Sequence, residues 1–277
     1  MQSDVTVQPE VAGRGGVRVL RPEFPREAVA MARRFGGTYI AGASWLQPVW
    51  ERRQSWPSYL VALDPGWPGF RGIEQDEGGL TIGALTTLDE LASHPLVHEH
   101  LPGLGTLLDQ VAGPGVRRLG TVGGNLCAGG DLSALFLALD ARLHLVGHHD
   151  PKGESLVVWD AADAGFDLIQ SVTLPDARPW RIAVDKLGHR ERFSPTRATV
   201  ACVHDGERLR LAVNGEGGPG RLSISEAALN DGHSLSGADR IHILDTELEF
   251  RGWRDPPLRL AIQRMVDYLL AEVGHVL

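Results

Sequence analysis

Cysteine is nearly absent from this chain: only Cys127 and Cys202 occur in 277 residues. They are far apart and form no C-x-x-C, which excludes an iron–sulfur or structural zinc site built from the chain's own thiolates. Positive charge is also short. The formal net charge is −8, so the basic surface of a nucleic-acid binder is missing and no such partner is expected. No long apolar run is present either. The most apolar region, Leu132 to Val146, is interrupted by Asp140, Arg142 and His144, and no transmembrane segment is expected. Met1-Gln2-Ser3-Asp4 has neither the basic start nor the apolar stretch of a secretory signal, and a cytoplasmic protein is the expectation. Internal repeats and low-complexity runs are lacking. What remains is an ordinary globular composition, 43% hydrophobic and 22% charged, with enough chain for two domains.

The pattern along the chain predicts strands and helices in irregular alternation. Residues 1–16 read as a flexible lead-in, and Val17–Leu20 as a strand. After Pro22 and Pro25 a helix is expected, with Ala28, Met31, Ala32 and Phe35 on one face, closed by Gly36-Gly37. Strands follow at Thr38–Ala41 and Tyr59–Leu63, then a hairpin around Gly78-Gly79. Thr87-Leu88-Asp89-Glu90 fits a capping box. Helices are expected at Leu104–Val111 and Leu132–Leu139, and strands at Arg142–Val146, Ser155–Trp159 and Asp167–Leu174. Leu174–Pro179 reads as a linker. Beyond it, Asp205-Gly206 joins two strands, Arg221–Ser225 reads as another, and an amphipathic helix begins near Pro257. The absence of a regular βαβ rhythm favours the α+β class.

Two glycine-containing turns carry the chemistry. One is Ala41-Gly42-Ala43-Ser44-Trp45-Leu46 and the other Gly120-Thr121-Val122-Gly123-Gly124-Asn125-Leu126. Missing Cβ atoms let backbone N–H groups face an anion or a flat ring closely. Two such turns suggest a cofactor with two ends, one of them a pyrophosphate. Other features have plainer readings. Gly215–Gly220 matches G-x-G-x-x-G, but Pro219 does not suit a helix start there, and a hairpin loop is expected. His94 and His98 are four apart, yet Pro95 lies between them, so solvent-exposed loop histidines are expected for them and for His100. His148–Pro151 reads as a surface turn. Arg117-Arg118 could dock a phosphate, and Cys127 is either a packing residue or a redox-sensitive thiol.

These residues resemble the FAD-binding subunit of molybdenum hydroxylases, from about Phe24 to the C-terminus. The family's first turn reads A-G-G-x-x-L-x-P, here Ala41 to Pro48; its second reads T-I/V-G-G-N-L/I, here Thr121 to Leu126. Supporting likenesses are Leu80–Ala84, the helix start Leu101-Pro102-Gly103-Leu104, Gln110–Arg117, and Lys186–Arg190. The resemblance implies a two-lobed FAD-binding domain of the PCMH (vanillyl-alcohol-oxidase-like) type over 17–176. A smaller α+β domain would follow over 177–277. It implies that Ala41, Gly42, Ala43, Ser44, Trp45 and Leu46 hold the pyrophosphate end of FAD, with Ser44 adding a hydroxyl. Gly120, Thr121, Gly123, Gly124 and Asn125 would hold the flavin end. Asp131 would cap the next helix or bind a cofactor hydroxyl, and Lys186 would touch cofactor or partner. Implied partners are a [2Fe-2S] small subunit, a molybdopterin large subunit and a small-molecule electron acceptor, with no catalytic acid or base on this chain.

Three departures from the family pattern keep other readings open. Ala43 replaces the second glycine, Trp45 stands where relatives have a smaller or polar residue, and Cys127–Gly130 is a shortened loop. They are compatible with a structural subunit that kept the fold and lost flavin. A flavin oxidoreductase acting alone is the third reading.

Overall fold

The computed structural model describes residues 16–76, 78–101, 104–148, 150, 153–159, 164–190, 194–231 and 237–274. The expected lead-in, apart from Gly16, lies outside the described residues, as do Pro102-Gly103 of the expected helix start and His149 and Pro151 of the expected turn.

A first lobe contains β1 (Arg18–Leu20), α1 (Pro25–Phe35), β2 (Thr38–Ile40), α2 (Leu46–Arg53) and β3 (Tyr59–Ala62). Pro25 opens α1 and Gly36, at φ 61°, closes it in the left-handed conformation. Both β1 and β2 run parallel to the central β3, a small βαβ unit within the α+β whole. Ala28, Met31 and Ala32 bury one stripe of α1 in a cluster with Leu20 and Val61. Leu85 and Leu168 of the next lobe join that cluster, so the two lobes share apolar packing.

The second lobe runs through β4 (Ile73–Asp76), β5 (Gly79–Gly83), α3 (Leu88–Ser93), α4 (Pro95–His100), α5 (Leu104–Gln110), α6 (Pro114–Arg117), α7 (Val122–Cys127), α8 (Leu132–Ala138), β6 (Arg142–Leu145), β7 (Glu154–Ser155) and β8 (Ile169–Pro175). Its antiparallel sheet has the order β4-β5-β8-β6-β7. The capping box at Thr87 is complete: Glu90 N–H donates to Thr87 Oγ1 at 3.1 Å and Thr87 N–H to Glu90 Oε2 at 2.9 Å. Two local expectations are corrected here. The strand expected over Ser155–Trp159 ends at once, because the Ser155 carbonyl accepts the Val158 and Trp159 N–H groups in a turn. Pro95 starts a helix rather than interrupting one, since its missing N–H costs nothing in a first turn. His100 on that helix is buried, its Nδ1 at 2.9 Å from the Leu96 carbonyl.

The C-terminal unit comprises β9 (Arg181–Gly188), β10 (Thr196–His204), β11 (Leu209–Gly215), β12 (Gly220–Arg221), α9 (Ser223–Asn230), α10 (Gly237–Phe250) and α11 (Pro256–Glu272). Its antiparallel sheet has the order β12-β11-β10-β9. The strand expected over Arg221–Ser225 stops at Arg221. There the Glu247 carboxylate accepts the Ile224 and Ser225 N–H groups at 3.0 and 2.8 Å and anchors the start of α9.

Period-two alternation decides how this sheet packs. Val200, Cys202, Leu211 and Val213 face Leu258, Ile262 and Leu269 of α11. Ala201, Val203 and Ala212 face the opposite way, into the cluster that holds α8. Every residue of α8 is buried, between the C-terminal sheet and its own lobe. The Arg221 guanidinium donates to the Leu137 carbonyl at 3.2 Å near the end of α8. Arg221 and Arg210 also both pair with Asp140, which follows the helix at φ 54°.

Two outcomes are expected. Phe136→Ala should cost about 3–5 kcal/mol, the range for truncating a fully buried aromatic, read from urea unfolding. Glu90 is disfavoured as an anion by burial, but bonds from Arg71 and Thr87 outweigh that and hold its carboxyl below the ordinary value. Such a group stabilises the fold above its unfolded value of about 4.3 and loses that contribution as pH falls through the lower, folded value. Glu90→Gln should therefore flatten the acid limb of a Tm-against-pH curve; an unchanged limb would show that other carboxylates govern it.

Candidate cofactor site

The two glycine segments, far apart in sequence, touch. A Cβ on Gly42 would lie 1.7 Å from the Leu119 carbonyl oxygen, so only glycine fits where the first turn crosses the residue before Gly120. A Cβ on Gly120 would come within 3.2 Å of Ser44 Oγ. The lobes thus meet at the two segments that the resemblance assigned to one ligand.

In the first turn the left-handed residue is not a glycine. Ala43 sits at φ 54°, whereas Gly42 does not need positive φ. Among the described residues, the N–H groups of Gly42, Ala43, Ser44 and Trp45 donate to no protein acceptor, and the Ser44 hydroxyl has no protein partner. They lead directly into α2, whose first turn has no acidic residue and whose basic residues, Arg52 and Arg53, lie at its far end. Consecutive unpaired amides at a helix start form an anion cradle. Leu46 begins the helix, Ala41 precedes the turn, and Trp45 is 54% exposed beside it.

The second segment is a helix rather than a turn. Thr121 accepts the Gly124 N–H at 3.1 Å and caps α7, so Gly123 and Gly124 are helical. The Val122 and Gly123 N–H groups are taken by the Thr86 and Ala84 carbonyls at 2.9 and 2.8 Å, while Leu88 N–H reaches the Gly120 carbonyl at 2.9 Å. Tertiary bonds therefore supply what the helix propensity of two glycines does not. A Cβ on Gly123 would be 2.8 Å from that of Ala84, so its close approach serves the seating of α7 on the strand end. Gly124 is exposed.

Asn125 Oδ1 accepts the Leu132 N–H at 3.0 Å and so caps α8, the task expected of Asp131. Asp131 makes no cap bond. Its buried carboxylate instead accepts from Lys186 Nζ at 3.0 Å, from Thr199 Oγ1 at 2.9 Å and from Thr196 Oγ1. Lys186 is likewise buried, its Nζ also 3.4 Å from the Gln110 carbonyl.

Asn214 Nδ2 donates to the Gly129 and Gly130 carbonyls at 2.8 and 2.9 Å. Thr196, Thr199 and Asn214 were missed from sequence; the available signal was a polar residue inside an apolar strand. Arg117, a possible phosphate dock, is spent on the Leu108 carbonyl in the last turn of α5 and on the Val111 and Ala112 carbonyls just beyond it. Cys127 is exposed at the end of α7, so it is not a core packing residue; desolvation by the chain around it nevertheless pushes its thiol up to about 11, so it is neutral at physiological pH.

Residues 15–175 match the family described as the FAD binding domain in molybdopterin dehydrogenase. The carbon monoxide dehydrogenase medium chain of Hydrogenophaga pseudoflava is 34% identical over 158 residues, 55% of this chain and 52% of that one. A putative xanthine dehydrogenase FAD-binding subunit of Escherichia coli strain K12 is 37% identical over 91 residues, 31% of this chain and 30% of its own. The chain thus spans about half the length of the first relative, and less of the second, in sequence. The solved carbon monoxide dehydrogenase from Hydrogenophaga pseudoflava that lacks the Mo-pyranopterin moiety matches with a TM-score of 0.77 at 25% identity, over 92% of this chain and 96% of that one. Quinoline 2-oxidoreductase from Pseudomonas putida 86 shares the fold, with a TM-score of 0.67 at 20% identity over 91% and 95% of the two chains.

The turn geometry sets opposite expectations for adjacent residues. Ala43→Gly should stabilise the protein by about 0.5–1 kcal/mol, the relief of a left-handed alanine less the entropy of a glycine. Gly42→Ala should cost more than about 2 kcal/mol, because a backbone carbonyl blocks the new methyl group. Urea unfolding of both variants checks the pair; equal effects would contradict this geometry.

Proposed function

This chain belongs to the family of FAD-binding domains of molybdopterin dehydrogenases, and from that premise we propose that it is the electron-transfer subunit of a molybdenum hydroxylase complex. In this reading a molybdopterin large subunit oxidises the substrate, a small [2Fe-2S] subunit delivers the electrons, and this chain hands them to a small-molecule acceptor. Two widely spaced cysteines cannot ligate a [2Fe-2S] cluster by themselves, so that centre falls to a partner.

The observation that carries the reading is the row of four unpaired N–H groups at Gly42–Trp45, locked against Leu119 beside the second segment. These amides and the Ser44 hydroxyl suit a pyrophosphate, which needs donors and no side-chain cation. Ala41 and Leu46 frame that turn. At the other end, Gly120, Thr121, Gly123, Gly124 and Asn125 would border the flavin. Thr121 Oγ1 and Asn125 Oδ1 serve the chain's own caps, which leaves the Asn125 side-chain NH2 group as the free donor. Asp131 and Lys186 would stand behind this end as a buried ion pair. When bound, FAD supplies the exchange of electrons between a one-electron donor and the final acceptor; the protein's work is orientation and electrostatics. No acid or base on this chain is then required.

Loss of flavin, the structural-subunit reading, would leave the four amides without a purpose. The visible spectrum of the purified chain, followed by heat release and identification of the cofactor, tests this directly. Flavin bands with FAD released at about one per chain are expected. A colourless protein that takes up no added FAD would overturn the proposal in favour of the structural role. Turnover of an organic substrate by the chain alone would overturn it in favour of a self-sufficient oxidoreductase.

A further inference from the structure

The segment that follows the second glycine motif is held by side chains of the C-terminal sheet. Asn214 on β11 donates through one NH2 group to the carbonyls of Gly129 and Gly130, at 2.8 and 2.9 Å. Asp131, the next residue, is bonded by Lys186 from β9 and by Thr196 and Thr199 from β10. Three strands of the sheet thereby fix three consecutive residues. Those residues are in turn tied to the motif: Gly130 N–H donates to the Asn125 carbonyl at 2.7 Å, and Asn125 Oδ1 holds Leu132 N–H. A Cβ on Gly130 would overlap the Asn125 side chain, within 2.4 Å of Nδ2. The orientation of Asn125 therefore follows the placement of Gly130.

Asn214 and Thr199 are almost wholly buried in a sheet whose neighbouring positions are apolar. Packing alone would favour an aliphatic residue at either site, since burial of a polar group gains little even when it is bonded. Their polarity is explained by the loop they hold.

We propose that Asn214 and Thr199 are positioning residues for the flavin end of the FAD site. Through Gly129–Asp131 they set the rotamer of Asn125 and the seat of α7. The C-terminal sheet is then part of the cofactor site without touching the cofactor. This inference rests on the assignment of Gly120–Asn125 to the flavin end.

The test compares the full-length chain with Asn214→Leu, Thr199→Val and Thr199→Ser. Each is stripped of cofactor and titrated with FAD, and hydrogen–deuterium exchange is followed over residues 125–132 in the cofactor-free protein. Asn214→Leu and Thr199→Val should each raise the FAD Kd about tenfold, with little change in the Tm of the cofactor-free protein, and should speed exchange in that segment. Thr199→Ser, which keeps the hydroxyl, should restore the unsubstituted affinity. A Kd within about twofold of the unsubstituted chain for both Asn214→Leu and Thr199→Val would overturn the positioning role and leave the site assignment standing. A large fall in Tm with affinity unchanged would show that the residues serve stability alone, and overturns it as well. Failure of the unsubstituted chain to take up FAD would sink the site assignment and this inference together.

Discussion

Helix α8 has no face left for water, and the rest of the architecture follows from that. Seven consecutive buried residues must be enclosed on every side, and neither the second lobe nor the C-terminal sheet can do so alone. A helix of this length is marginal without tertiary support, so the two surfaces that enclose it also make it. Its start is bonded by Asn125 and its end by Arg221, one residue from each of the units it joins. The C-terminal unit is consequently a second wall of the core and not an appendage.

That enclosure positions the site. Placing α8 places the loop before it, and the loop places α7 with its two glycines. On the other side, α7 is seated on the carbonyls of Ala84 and Thr86, at the end of β5. The first lobe completes the arrangement through one steric fact, the contact of Gly42 with the Leu119 carbonyl. Backbone bonds and a missing methyl group define the candidate site's outline, and the charged residues behind it, Asp131 and Lys186, pair with each other. Such a surface suits a ligand that brings its own charge and its own reactivity.

Much of this was legible in the sequence. The stripe on α1, the capping box at Thr87, the Asp205-Gly206 hairpin and the apolar run of α8 are local signals, and local physics decides them. What escaped was whatever depended on distant partners. Gly120–Leu126 reads as a turn by composition and is a helix because Thr86 and Ala84 accept its first N–H groups. Asp131 reads as a cap or a ligand of a cofactor hydroxyl; it makes no cap bond and is the centre of a polar cluster drawn from β9 and β10. Ser223 reads as strand and begins a helix because Glu247, on another helix, waits at its start. In each case propensity lost to a tertiary bond that no local window contains.

The contact between Gly42 and Leu119 has a kinetic consequence. These residues are distant in sequence, and the loop between them must close before the amides of the first turn and the second segment share one space. Loop closure costs entropy ahead of any contact that repays it. The proposed binding surface therefore exists only once both lobes are folded and docked, and neither lobe offers half of it in advance. Uptake of ligand thus reports long-range order, and a newly made chain would acquire its cofactor last, after its topology is complete.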